Sequence, residues 1–147
     1  MANSSTDLVP DVVARATAAP VVLGAVAFGK PKPTTREHPL SSDESCNELL
    51  GAFHISGGRE LDTSRVYQNG NCEEVIGRIS AGSAIRVGTK YHPSLEGGPV
   101  RQLGQSLQAL QRDSVSIYYI HMPSTEIPLE ETLAEINQCH VAGQFEE

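Results

Sequence analysis

Positive charge is scarce in this sequence: 11 Lys and Arg stand against 18 Asp and Glu. The net charge of -7 and an isoelectric point near 5.2 argue against a nucleic-acid partner, because a phosphate backbone wants a basic face. No run of five or more like charges reads as an interaction tail. No stretch of ~18 apolar residues exists, so no spanning helix and no membrane partner is expected. The nearest thing to a secretory core, residues 16–28, is interrupted by Pro20 and Gly24 and preceded by Asp7 and Asp11, where a signal needs positive charge. Cysteine is sparse and odd in number. Cys46, Cys72 and Cys139 have neither zinc-site nor dithiol spacing, so the expectation is no metal, a reducing compartment and a cytoplasmic protein. Each is read as a small apolar side chain inside a helix. There is no internal repeat.

What remains is a regular alternation. Residues 1–19 form a Ser/Ala/Asp-rich lead-in without periodicity, expected to be loosely ordered. Residues 21–26 are a short apolar run, fitting a strand buried on both faces. Residues 29–39 hold three prolines and read as a long loop. Ser41-Ser42 offers a helix cap, followed by Cys46, Leu49, Leu50 and Phe53 on one helical face until Gly57-Gly58. A second strand covers residues 59–62. A turn at Asn69-Gly70-Asn71 leads into a second stripe of Cys72, Val75, Ile76 and Ile79, ended by Gly82. Residues 84–89 form a third strand, and Val100, Leu103, Leu107 and Leu110 a third stripe. Residues 115–120 form a fourth strand, the most β-like run in the chain. Pro128 opens a helix striped by Leu129, Leu133 and Ile136, fading near Gly143. Strand and helix alternate four times, which means a parallel sheet with helices packed outside.

Polar residues sit where the strands end. Asp62 closes the second strand and Tyr67 follows five residues later. Lys90 ends the third strand and His121 the fourth. Alone, each has an ordinary reading: Asp62 a turn former, Tyr67 a rim tyrosine, Lys90 solvated surface, His121 a backbone-bonded core histidine. Jointly they carry chemistry, because the strand ends of a parallel barrel share one rim. A phenol, with a reference pKa of ~10, becomes a useful proton donor when an ammonium stabilises its anion. A carboxylate keeps that ammonium charged and aimed, and a neutral imidazole polarises a carbonyl. The set lacks a reductant, so a hydride has to come from a cofactor.

At these residues the chain resembles the aldo-keto reductases. Asp62-Thr63-Ser64 with Tyr67, Asn69-Gly70-Asn71 and Glu73-Glu74-Val75-Ile76-Gly77 is similar to the family's signature from second strand to second helix. Gly88-Thr89-Lys90 is similar to its third-strand lysine motif, and Tyr119-Ile120-His121-Met122-Pro123 to its fourth-strand histidine motif. The wording of residues 58–67 is closest to the aflatoxin aldehyde reductase branch. The resemblance implies a (β/α)8 TIM barrel, of which residues 20–147 form the first four βα units. It implies NADPH-dependent reduction of small aldehydes or ketones to alcohols. Tyr67 is then the proton donor, Lys90 and Asp62 tune it, Asp62 reaches the cofactor's nicotinamide ribose, and His121 binds and orients the substrate carbonyl. Tyr91 and His92 fall in the rim loop after Lys90, either lining the substrate pocket or exposed.

The sequence departs from the family at Gly24-Ala25, where Gly-Thr is common, and at Ser124, where an acid is usual. The loop between Pro93 and Pro99 looks short. Length is the largest departure, since such a barrel takes ~250 residues. The fifth strand is expected after Glu147, leaving the first and fourth strands with open edges that invite self-association. The alternative reading is therefore a truncated, catalytically inactive half-barrel that acts only through binding a partner chain.

Overall fold

Four hydrophobic stripes at helical spacing and four short apolar runs condense into a sheet with helices along one side. The computed structural model describes residues 21–30, 40–80 and 83–147. The expected lead-in, most of the first long loop and Gly82 lie outside the described residues. Strands β1 (Val22–Gly24), β2 (Glu60–Asp62), β3 (Arg86–Tyr91) and β4 (Ile117–Ile120) alternate with helices α1 (Asp43–Ile55), α2 (Asn71–Ser80), α3 (Pro99–Leu110) and α4 (Leu129–Val141). All strand pairs are parallel, in the spatial order β1-β2-β3-β4.

Local chemistry sets the helix ends. Ser42 caps α1, its Oγ accepting from the Ser45 N–H at 3.2 Å, with Asp43 and Glu44 in the positive first turn. Gly57, at φ +95°, carries the chain out of α1 in a conformation that disfavours a side chain. Helix α3 has no side-chain cap of its own; Glu135 of α4 accepts from the Val100 N–H at 3.4 Å. Gly77 lets α2 and α3 close on each other, since a Cβ there would run into the Ala109 carbonyl.

The register separates two rows of side chains. Leu23, Leu61 and Val87 lie side by side, as do Gly24, Asp62 and Gly88. The first row joins Thr89, Tyr91 and Tyr118 beneath the helices. There Leu61, Val87 and Tyr91 pack with Cys46, Val75, Ile76, Leu103 and Leu110, all nearly or fully buried. Each large side chain buried this way contributes about 1.5–3 kcal/mol. The three cysteines are free and buried within α1, α2 and α4, as their spacing predicts.

Four expectations need correction. The first strand is shorter than residues 21–26 and is not covered on both faces: Val21 is 70%, Val22 43% and Val26 54% exposed. Among the described residues the helices cover one side of the sheet, and the chain turns after Gly24 to bury Ala25 and Phe28 instead. In α4, Leu129 and Leu133 are about half exposed while Thr132 and Cys139 are buried. The helix packs chiefly on α3, so its contact face is rotated from the leucine stripe. Tyr91 belongs to β3 and is 1% exposed, not part of a rim loop. Finally, the outer edge of β4 is partly covered at its start. Phe145 forms a parallel bridge with Val115, the Glu147 N–H donates to the Ser116 carbonyl at 3.0 Å, and the Tyr118 N–H donates to the Glu147 carbonyl at 2.9 Å. Residues 144–147 thus pair alongside the start of β4. Arg86 ties this segment to the sheet, pairing with Glu146 at 2.9 Å, Glu60 at 3.5 Å and Glu147 at 3.6 Å.

Candidate active site

Parallel strands place all their C-terminal ends on one side, and there the polar residues meet. Asp62 is the last residue of β2. Lys90 lies in β3 on the face opposite Thr89 and Tyr91, beside Tyr119 of β4. His121 directly follows β4, its N–H donating to the Tyr91 carbonyl at 2.9 Å, which extends the ladder and fixes where its ring starts. The Lys90 ammonium holds the cluster together. Nζ lies 2.7 Å from Asp62 Oδ1 and 2.8 Å from Oδ2, donates to the Thr63 carbonyl at 2.7 Å and to Tyr67 Oη at 3.2 Å. The same nitrogen sits 4.8 Å from the Tyr67 ring centroid. His121 meets Tyr67 edge-on, with ring centroids 5.8 Å apart. Its Nδ1 is 3.3 Å from Ser64 Oγ. All four residues singled out in the sequence are therefore brought together.

The turn carrying Tyr67 is built to stay in place. Tyr67 opens a 3-10 turn (Tyr67–Gly70) in which Gln68 and Asn69 adopt φ of 50° and 56°. Gln68 Nε2 donates to the Val26 carbonyl at 2.9 Å. Beneath it lies Glu73, a carboxylate with no exposure. It pairs with Arg65 Nη1 at 3.2 Å and accepts from Thr89 Oγ1 at 2.6 Å. Arg65 reaches back to the Gly70 carbonyl at 3.3 Å, so one arginine links the turn to α2. Gly70, at φ +89°, has that guanidinium where a side chain would stand.

Asp62, Lys90 and His121 line a cavity of ≈ 430 Å³ with Val22, Gly24, Tyr119 and Ile120. Burial holds His121 below the usual imidazole range; Lys90 and His92 push it the same way, against the opposing pull of Asp62. A ring so placed is neutral near neutral pH and keeps one N–H to donate. Among the described residues no group of three or more His, Cys, Asp or Glu is placed to hold a metal, and no helix is long and apolar enough to cross a membrane.

Sequence reasoning missed several participants. Ser64 enters the sequence reading only within the Asp62-Thr63-Ser64 motif, yet it contacts His121. Glu73 was read only as part of a motif, and its acidity gives no hint of complete burial. Tyr119 carries no polar signal beyond its hydroxyl, but alternation in β4 turns it toward the cavity. His92, read as lining or loop, stands with its ring centroid 4.9 Å from that of His121.

A profile of the Aldo/keto reductase family matches residues 20–146. The chain is 33% identical over 136 residues to the human aflatoxin B1 aldehyde reductase member 4, covering 86% of this chain and 38% of that protein. It is 30% identical over 142 residues to the oxidoreductase sirO of Leptosphaeria maculans, covering 85% of this chain and 40% of that one. An aldo-keto reductase of Klebsiella pneumoniae, crystallised with NADPH, superposes with a TM-score of 0.72 at 26% identity, over 86% of this chain and 43% of its own. The chain thus spans about 40% of the length of the curated relatives it matches. With a family profile across nearly the whole sequence, and parallel βα units that agree with solved barrels of that kind, the chain belongs to the Aldo/keto reductase family.

Proposed function

We propose that this chain carries the proton-donating half of an NADPH-dependent reductase of aldehydes and ketones. The observation that carries the reading is the Lys90 ammonium shared between the Asp62 carboxylate and the Tyr67 phenol. The phenol gives its proton to the carbonyl oxygen as that oxygen gains charge. The ammonium, 3.2 Å away, stabilises the phenolate left behind. Asp62 keeps the ammonium charged and pointed at the phenol. His121, neutral, donates a hydrogen bond to the same carbonyl oxygen and holds the substrate for the transfer.

A nicotinamide cofactor, when bound, supplies the hydride. The residues present suit its nicotinamide-ribose end. Asp62 is 30% exposed and its carboxylate retains acceptor capacity for ribose hydroxyls beyond its bond to Lys90. They do not suit its phosphates. Lys90 is the one Lys or Arg among the residues lining the cavity, and it is already engaged by Asp62, Thr63 and Tyr67.

The test is a pair of measurements on the full chain. NADPH fluorescence titration should saturate, and NADPH should be consumed when an aromatic or dicarbonyl aldehyde is added. The Tyr67→Phe variant should still bind NADPH but lose the turnover; undiminished turnover would remove Tyr67 from its role.

A second reading is an inactive half-barrel that works by binding another chain. It is favoured by the exposed apolar side chains of the β1 region, Val21, Val22 and Val26, and by Tyr119, 40% exposed on the side without helices. This reading expects no saturable NADPH binding and association in sedimentation. A monomer that melts cooperatively in calorimetry would oppose it.

A further inference from the structure

Just outside the four residues discussed above lies a second imidazole, held more firmly than a surface loop requires. His92 follows β3, and its backbone is pinned at both ends by Gln102, a side chain with no exposure. The His92 N–H donates to Gln102 Oε1 at 3.0 Å, and Gln102 Nε2 donates back to the His92 carbonyl at 3.0 Å. Gln102 Nε2 also holds the Gly97 carbonyl at 2.7 Å, so the loop is closed around it. The side chain is fixed as well. The Ser94 N–H donates to His92 Nδ1 at 3.1 Å, with Ser94 Oγ 2.8 Å from the same nitrogen. A backbone N–H has no other role than donor, so the proton of the neutral His92 ring sits on Nε2. Loop, tautomer and rotation are thereby set, and the ring they set lies at 80° to the His121 ring, with centroids 4.9 Å apart.

We propose that His92 is a positioning residue for His121, its ring fixing the plane in which the His121 imidazole faces the mouth of the sheet. The proposal rests on His121 acting on the carbonyl as described above, but its structural content stands apart from turnover. The His121 ring meets Tyr67 edge-on at 5.8 Å and His92 edge-on at 4.9 Å, two aromatic contacts that limit how it can turn. Ser64 Oγ, 3.3 Å from Nδ1, anchors that nitrogen as donor or acceptor and holds the ring from a third direction.

The arrangement also has a charge consequence. The titratable groups facing His121 are Asp62 from β2, Tyr67 from the turn, Lys90 from β3 and His92 from the loop after it. Asp62 favours an imidazolium there. Lys90 opposes it, and so does His92 whenever it is protonated, because two imidazolium rings at this separation repel. His92 also lines a rim cavity of ≈ 330 Å³ with Met122, Pro123 and Glu126, so protons reach it from solvent.

The experiment follows the His121 ring by heteronuclear NMR across pH in the full chain and in two variants. In the parent chain His121 shows a single tautomer at pH 7. In His92→Ala its midpoint moves to higher pH and the tautomer becomes mixed. In His92→Phe, which keeps an aromatic edge without a titratable nitrogen, the midpoint again rises while the tautomer is retained; this variant also serves if the alanine chain fails to fold. Where turnover is measurable, the acid limb of kcat/KM follows the same upward shift, and His92→Ala loses on the order of 10-fold at neutral pH. A His121 midpoint and tautomer unchanged in both variants overturn the proposal. Absent turnover with shifted NMR midpoints would instead count against the reductase reading alone.

Discussion

The two faces of the sheet are built from the same four strands and differ in almost everything else. Beneath the helices, Leu61, Val87, Thr89, Tyr91 and Tyr118 are nearly or fully buried. On the other face stand Asp62, Lys90 and Tyr119 at the C-terminal ends and Glu60 and Arg86 at the N-terminal ends, all at least partly exposed. Alternation puts successive residues of one strand into both worlds: Thr89 is sealed against Glu73 while Lys90, its neighbour, takes Asp62 and Tyr67. Stability belongs to the first face and the proposed chemistry to the second. A few hydrogen bonds join them, chiefly Arg65 and Glu73 under the Tyr67 turn.

That division predicts changes that separate activity from stability. The largest effect belongs to the open face: Tyr67→Phe lowers kcat/KM for aldehyde reduction by about 10²–10⁴-fold, measured in steady state, with the melting temperature nearly unchanged. Glu73→Ala strikes the link between the faces. It strands Arg65 and Thr89, costs about 3–5 kcal/mol in denaturant unfolding, and lowers activity as the Tyr67 turn loosens. Leu103→Ala strikes the buried face alone, costing about 2–5 kcal/mol with KM preserved wherever the chain remains folded. A smaller effect is expected for pH. His121 is held below the ordinary imidazole range, so the unfolded chain takes up this proton first as pH falls. Native stability therefore declines from about pH 6.5 downward toward the folded value of His121, and His121→Asn flattens that part of the profile in pH-dependent unfolding. The smallest effect is at the surface. Arg78 grips Asp43 at 2.6 and 2.8 Å between α2 and α1, and both are exposed; a double-mutant cycle should return at most about 1 kcal/mol. The Arg78 charge and hydrogen bond hold the Asp43 carboxyl below its usual range, so this contribution is present above that range and disappears as pH falls through the folded value.

The comparison also explains what was legible beforehand. Order and type of the elements were, because each helix stripe and each apolar run repeats over enough residues to stand out. The meeting of Asp62, Lys90 and His121 was also readable, since residues that end consecutive parallel strands must share a rim. The burial of β1 was not. An apolar run looks the same whether one or both of its faces are covered, and here Val21 and Val22 are both exposed. The contact face of α4 was hidden for a similar reason: Leu129 and Leu133 mark an apolar side, while packing on α3 uses Thr132 and Cys139. The pairing of residues 144–147 beside β4 was hidden because they hold only Phe145 as an apolar signal, and two glutamates follow it. That pairing is backbone chemistry with Ser116 and Tyr118, aided by Arg86. Glu73 and His92 needed three dimensions, because burial of an acid and the facing of two imidazoles depend on residues far away in sequence.

The account rests on one ammonium serving a carboxylate and a phenol as a single device. The most direct measurement is aldehyde-dependent NADPH consumption by the chain, by Tyr67→Phe, by Lys90→Met and by the double variant. Residues that act as a unit are non-additive, so the double variant should be scarcely worse than either single one. Losses that multiply, turnover that persists without the phenol, or a parent chain that never consumes NADPH would contradict it.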